Sequence, residues 1–284
     1  MSALGVARAL ATGVVVSETW RSEPGRELVA HSDALCVEEP LEIRVAGDAL
    51  AVTMRTPGHD HELAAGFLFA EGLIRSRSEL GTLSHCGRLG AEGAGNALDV
   101  IPAPGVVFDP EALARSRRGT LTTAACGLCG RRLLDDLASA LAAPGASPPF
   151  SRSFIASLPA ELRREQPNFA RTGGLHAAGI ASPAAGWLAV REDVGRHNAV
   201  DKVVGRLLLD ARLPATGSVL VVSGRTSFEI VQKALAAGVA GVVGVSAPSS
   251  LAVTTAARFG LLLCGFAREG AFNVYAGAER LLTS

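Results

Sequence analysis

Apolar side chains alternate with polar ones over residues 34 to 56, "ALCVEEPLEIRVAGDALAVTMRT", and this period of two predicts a pair of β-strands. Gly47-Asp48 between them suits a tight hairpin, so the pair is expected to be antiparallel. The period then lengthens. In "HELAAGFLFAEGLI" the apolar residues recur at helical spacing behind Asp60, an N-cap candidate, and short strand-like runs follow near 80 to 88 and 96 to 101. Residues 1 to 115 therefore read as a small α+β unit. "RRLLDDLASALAAP" sets Leu133, Leu134, Leu137 and Leu141 on one side of a helix that Pro144 ends, and "APGASPPF" (143 to 150) is a linker candidate with three prolines. Residues 116 to 150 are thus expected to be a loop, helix and linker.

From about residue 168 strands and helices alternate: strand 186 to 191, helix 196 to 209, strand 218 to 223, helix 226 to 237, strand 241 to 246, helix 249 to 259, strand 261 to 267. Alternation of this kind implies a mixed α/β protein whose C-terminal domain, 151 to 284, holds a largely parallel sheet flanked by helices. The apolar face of helix 226 to 237 could serve core or a homodimer interface. The uncharged stretch Ala234 to Ala257 has the length of a bilayer span. Gly244, Pro248 and five hydroxyl residues interrupt it, and it parses as helix end, buried strand, turn and new helix.

In such a sheet, ligands bind beyond the carboxyl ends of the strands, where helix starts offer free N–H groups to anions. "SGRTS" (223 to 227), "SAPSS" (246 to 250) and "GFAREG" (265 to 270) fall there, and each is also readable as ordinary helix capping. "REDVGRHNAVDKVVG" (191 to 205) is the densest polar cluster, either an ion-paired helix start with Asp193 as cap or a functional site. "TGGLHAAGI" (172 to 180) offers His176 ahead of an apolar, helix-like run.

The chain is 284 residues long, 48% hydrophobic and 19% charged, with 27 basic and 27 acidic residues. Length and hydrophobicity exclude general disorder, and the charge balance gives no sign of nucleic-acid binding. Five cysteines, an odd and scattered set, favour a reducing compartment. The short apolar run Ala9 to Val16 is preceded by Arg8 only and followed by Glu18 and Trp20, a poor signal peptide; a cytoplasmic location is expected.

Cys126 and Cys129 form a glycine-flanked CxxC in "TTAACGLCGR". It could be half of a zinc site, with His85 and Cys86 as candidate partners, in which case the protein would be a metal-stabilised binding module. It could be a redox pair, although the preceding residues are not a long strand. It could also carry sulfur as a persulfide, since Arg131, Arg132 and a helix start would lower the thiol pKa, and Gly127 and Gly130 would let the loop move. A zinc deaminase is excluded, because Ala178 stands where H-x-E needs its glutamate. Cys36, Cys86 and Cys264 sit in strand-like apolar runs and receive no role.

Taken in order, "EEPLEIRV", "TMRTPGHDHELAAGF", "ACGLCGR", "TGGLHAAG", "VREDVGRHNAVDKVVG", "VSGRTSFEIVQKAL", "VSAPSSLAV" and "FNVY" resemble the formate dehydrogenase accessory sulfurtransferases, the FdhD family, from about residue 38 to 280. The resemblance implies a sulfurtransferase that takes sulfur from a cysteine desulfurase. It passes that sulfur to the molybdenum bis-molybdopterin guanine dinucleotide cofactor before formate dehydrogenase receives it. Cys126 would bear the persulfide, with Cys129 as its partner. The family's cofactor-binding stretch matches Phe266, Ala267, Arg268, Glu269, Gly270 and Ala271. Ser223, Gly224, Arg225 and His197 are added as cofactor contacts, and a guanine nucleotide such as GDP is expected to bind. The larger domain would resemble the cytidine deaminase fold without its ligands.

Overall fold

The computed structural model describes residues 6–11, 13–86, 95–109, 111, 113 and 141–282. The helix expected over 131 to 143 lies almost wholly outside them. The described residues form three sheets. The first is an antiparallel three-stranded sheet of β1 (Val6–Ala11), β2 (Val14–Arg21) and β3 (Val29–Cys36), ordered β1-β2-β3. Ala34 to Cys36, expected in the following hairpin, pair with Val14 to Val16 instead.

The hairpin itself comprises β4 (Glu39–Val45) and β5 (Asp48–Arg55). Its turn is Ala46-Gly47 rather than Gly47-Asp48, because both turn residues must take positive φ (50° and 89°) for strand twist to match across two residues. With β6 (Leu80–His85) and β7 (Ala97–Pro102) it makes a sheet ordered β5-β4-β7-β6. Helix α1 (Asp60–Ala70) lies on this sheet, burying Leu63, Ala64 and Leu68 against Leu41, Ile43, Leu98 and Val100. Asp60 is not its N-cap. It is the first helical residue, and its carboxylate accepts two hydrogen bonds from the buried Arg55 guanidinium, at 3.1 and 3.0 Å.

The third sheet has six strands, ordered β13-β12-β11-β10-β8-β9, formed by β8 (His176–Ser182), β9 (Gly186–Asp193), β10 (Val219–Val222), β11 (Gly241–Gly244), β12 (Leu262–Arg268) and β13 (Ala271–Ala276). It is mixed, not largely parallel: β10, β11 and β12 run parallel, while β8, β9 and β13 pair antiparallel. The run after His176 is a strand and not a helix. All of Ala177 to Ala181 is buried, and a strand buried on both faces loses the alternation that would identify it.

One face of this sheet is covered by α2 (Arg152–Arg164), capped by Ser151 Oγ accepting from the Phe154 N–H at 3.1 Å, with Ile155, Leu158 and Leu162 facing Val219, Val221 and Leu262. A short helix α3 (Pro167–Thr172) follows. The opposite face is covered by α4 (Arg196–Leu209), α5 (Phe228–Ala236) and α6 (Ser250–Phe259). The apolar residues of α5 (Ile230, Val231, Ala234 and Leu235) go into this core, so that face is core rather than interface. No helix among the described residues is long and apolar enough to cross a membrane.

The four-stranded and six-stranded layers meet where α1 crosses α4. A Cβ on Gly66 would sit 1.9 Å from the Asp201 carbonyl oxygen, and one on Gly205 would sit 1.8 Å from that of Glu62. The crossing therefore requires glycine on both helices, and it holds the end of β5 against the start of α4.

Candidate functional site

Parallel alignment brings the carboxyl ends of β10, β11 and β12 to one edge of the six-stranded sheet. Because β8 runs antiparallel to β10, its first residue, His176, arrives at the same edge. Asp193, at the end of β9, pairs with His176 across the sheet, and α4 starts from there. Residues far apart in sequence thus share one rim: His176, Arg196, His197, the 223 to 227 loop and the 246 to 250 loop.

Backbone hydrogen bonds join these loops. The N–H of Thr226 donates to Ala247 O at 3.2 Å, that of Ser249 to Thr226 O at 2.9 Å, and that of Phe266 to Ser246 O at 3.1 Å. Ser223 is tied to β8, with its N–H donating to Ala177 O at 3.0 Å and its Oγ accepting from Ala177 N–H at 2.9 Å. The two loops, tied to β8 on one side and to β12 on the other, form a continuous shelf.

The shelf is cationic. Burial pushes the His176 imidazole below its usual range, and the charges of Arg196 and Arg225 push it further the same way. An imidazole kept neutral chiefly by burial, with two guanidinium charges close by, marks a place where an anion would be welcome. Gly224 lets the chain approach here: a Cβ would come within 3.3 Å of His176 Nδ1 and 3.7 Å of Arg196 Cδ. Arg196 Nε is buried without a hydrogen-bond partner, as is Thr226 Oγ1. A guanidinium nitrogen held out of water and unpaired costs free energy, which an anionic ligand would offset. Arg196 and His197 also border a cleft of about 330 Å³ that reaches Thr53 and Met54 of β5.

The expected contacts divide. His197, Ser223, Gly224 and Arg225 are brought together on the shelf. The run Phe266 to Ala271 is not a loop after a strand: Phe266, Ala267 and Arg268 belong to β12, Glu269 and Gly270 are the turn with positive φ (53° and 79°), and Ala271 opens β13. Its tip lies two strand positions from β10, roughly 10 Å along the same edge. Phe266 is 44% exposed with positive φ (50°), so its ring stands out of the sheet. Cys126 and Cys129, with Arg131 and Arg132, lie outside the described residues. Among the described residues no group of three or more His, Cys, Asp or Glu side chains could hold a metal ion; the zinc quartet that would join His85 and Cys86 to Cys126 and Cys129 falls partly outside them. Cys264 is buried in β12, its thiol pushed by burial up to about 12, as expected of a cysteine without a chemical role.

Sequence reasoning missed His176 and Arg196. His176 has no chemical neighbour in its own segment, and its partners, supplied by the loop after β10 and by α4, are found only through strand pairing. Arg196 stood in plain view beside His197, but nothing local marks which member of a polar motif faces outward.

That motif splits by direction. Asp193, Asn198 and Lys202 point inward. Lys202 Nζ lies 2.7 Å from Asp193 Oδ2 and donates to Thr56 O at 2.8 Å, with both side chains at most 1% exposed. Asn198 donates to Met54 O at 2.7 Å and accepts from Thr53 Oγ1 at 3.1 Å. These residues stitch β5 to α4, while Arg196 and His197 face the rim. Asp193 accepts from the N–H of Gly195 at 2.8 Å, and the N-cap position belongs to Gly195.

The chain as a whole is similar to known proteins. Residues 36–282 match the FdhD/NarQ family model. A protein named sulfur carrier protein FdhD from Anaeromyxobacter sp. (strain K) is 53% identical over 255 residues, covering 88% of each chain. Like-named proteins from Streptomyces coelicolor and Mycobacterium tuberculosis are 50% and 47% identical, covering 88% and 90% of this chain and 89% and 94% of theirs. The crystal structure of a protein provisionally described as a formate dehydrogenase accessory protein, from Desulfotalea psychrophila, superposes with a TM-score of 0.74 over 95% of this chain and 100% of its own, at 24% identity.

Proposed function

Because the chain belongs to the FdhD/NarQ family, we propose that it is a sulfur carrier with sulfurtransferase activity that serves formate dehydrogenase. In this reading the Cys126 thiolate attacks the outer sulfur of a cysteine desulfurase persulfide. The S–S bond of the donor breaks, its cysteine leaves as a thiolate, and Cys126 becomes the persulfide. The Cys126 S–S bond then breaks, Cys126 leaves as a thiolate, and its outer sulfur passes to the molybdenum bis-molybdopterin guanine dinucleotide, the substrate here, whose reduced metal supplies the two electrons that bring the sulfur to sulfide; formate dehydrogenase receives the product. Cys129 is the partner thiol. The setting is the cytoplasm, where thiols stay reduced.

The observation that carries the reading is the cationic shelf. The acceptor is large and bears phosphates, and Arg196, Arg225 and the starts of α4 and α5 present charge and N–H groups to such a ligand along one rigid edge. His176, kept neutral, can donate or accept a hydrogen bond without adding charge. Arg268 and the exposed Phe266 stand farther along the edge, where a base or a second phosphate would extend.

Two measurements test it. After incubation with a cysteine desulfurase and cysteine, mass spectrometry should find one added sulfur on the peptide containing Cys126, absent in Cys126→Ala. A wild-type protein that never gains the mass refutes the carrier role, and stoichiometric zinc held by Cys126 and Cys129 would replace it with the metal-stabilised module. Calorimetry should detect GDP binding that weakens about ten- to hundredfold in Arg225→Ala, the loss of a charge-assisted hydrogen bond of roughly 1.5–3 kcal/mol. Unchanged binding in the Arg225→Ala, Arg268→Ala double variant would move the nucleotide elsewhere.

A further inference from the structure

A serine that starts a helix ordinarily turns its hydroxyl onto the first-turn N–H groups. Ser227 is the N-cap of α5, with extended backbone, and makes no such bond. Its Oγ lies 3.3 Å from Nε2 of His197, across the gap between two helix starts. The other ring nitrogen, Nδ1, is 2.5 Å from Oε2 of Glu229. The hydrogen bond from His197 holds the exposed Glu229 carboxyl below its usual range, so it is ionised at neutral pH.

An ionised carboxylate can only accept, so Nδ1 carries the hydrogen, and in a neutral imidazole Nε2 is then the acceptor. The Ser227 hydroxyl consequently donates to Nε2. Hydroxyl, imidazole and carboxylate stand in the order that activates serine on unrelated folds, with a hydroxyl-to-nitrogen distance that is often this loose before substrate binds. The surroundings suit the chemistry. The first-turn N–H groups of α5 have no side-chain cap to compete for them, and Arg196 and Arg225 stand close enough to depress His176.

We propose that Ser227, His197 and Glu229 form a reactive-serine site that hydrolyses carboxylic esters bearing a negative charge, an activity separate from sulfur transfer. Ser227 Oγ bonds to the ester carbonyl carbon as its proton moves to His197 Nε2. Collapse of the tetrahedral adduct breaks the bond to the leaving oxygen, which departs as the alcohol with that proton. Water, giving a proton to the same nitrogen, then attacks the acyl-serine. The carboxylic acid leaves and the proton returns to Ser227, with no change of oxidation state. His197 is the base, Glu229 a positioning residue that fixes its tautomer, and the arginines select the anionic substrate.

The test uses the full chain. A fluorophosphonate probe should add to Ser227, located by peptide mass spectrometry on the wild-type protein. The anionic ester 4-nitrophenyl hydrogen succinate should be cleaved at least tenfold faster than 4-nitrophenyl acetate. Ser227→Ala should abolish both reactions while retaining the wild-type circular dichroism. Glu229→Gln should lower kcat for the succinate ester at least tenfold with KM within twofold of wild type, as expected of a residue that orients the base without touching substrate; a loss carried by KM instead would make Glu229 a binding contact and overturn its positioning role. No adduct on Ser227 of the folded wild type, hydrolysis that survives Ser227→Ala, or equal rates for the two esters would overturn the proposal.

Discussion

Glu62 shows how far one side chain's neighbours decide its behaviour. Burial pushes its carboxyl up, but hydrogen bonds with His59 and Arg191 and the charge of Arg191 outweigh burial and hold it at about 2. Arg191 reaches it with two nitrogens, at 2.6 and 2.7 Å. The folded value lies below the ordinary 4.5, so the stabilisation is complete above pH 4.5 and disappears as pH falls toward about 2. Glu62→Gln should flatten the loss of stability across that window, measured as the urea midpoint against pH; a slope equal to wild type would assign acid sensitivity to other carboxylates. Asp193 is the stronger case for removal. Asp193→Ala leaves Lys202 buried without its partner and should lower the unfolding free energy by about 3–5 kcal/mol. Neither role is visible in the sequence, where both residues are simply charged members of polar motifs.

At the level of elements, the crossing of α1 over α4 is the tightest contact described, and it has no slack. Gly66→Ala would drive a methyl group into the Asp201 carbonyl, so the helices must separate. Overpacking typically costs about 1–3 kcal/mol and more where backbone cannot yield, so the denaturant midpoint should fall clearly, with Gly205→Ala behaving alike. A midpoint within error of wild type would mean that the crossing adjusts freely. Most elements here were legible. The β4–β5 hairpin, α1, and the alternation from β9 to β12 have boundaries within a few residues of those read from period and turn residues. Five features were not legible: the β1–β3 sheet, α2, α3, the strand β8 and the edge strand β13. In β8, buried alanines and glycine carry neither alternation nor β-branched bulk, so only pairing with β9 and β10 declares the strand.

For the whole molecule, the stitching predicts cooperativity. Leu208 of α4 belongs to the core of the four-stranded layer, and Lys202, Asn198 and Arg191 bridge the same boundary. Calorimetry should therefore show one thermal transition for these layers; two resolved transitions would mean that they unfold independently. This coupling also brings β5 to the cleft beside His197, so both layers line it. Local periodicity and turn chemistry by themselves determined that strands and helices alternate in the second half and that its strand-end loops, including Ser223, Gly224 and Arg225, meet at one edge. They sufficed because those signals repeat every two or 3.6 residues within a short window. Tertiary structure alone decided which polar side chains face that edge. Strand order brought His176 beside Arg196 and Arg225, and the glycine crossing turned Asp193, Asn198 and Lys202 inward. Direction and neighbourhood depend on packing between segments from about 20 to 146 residues apart, which no local pattern encodes.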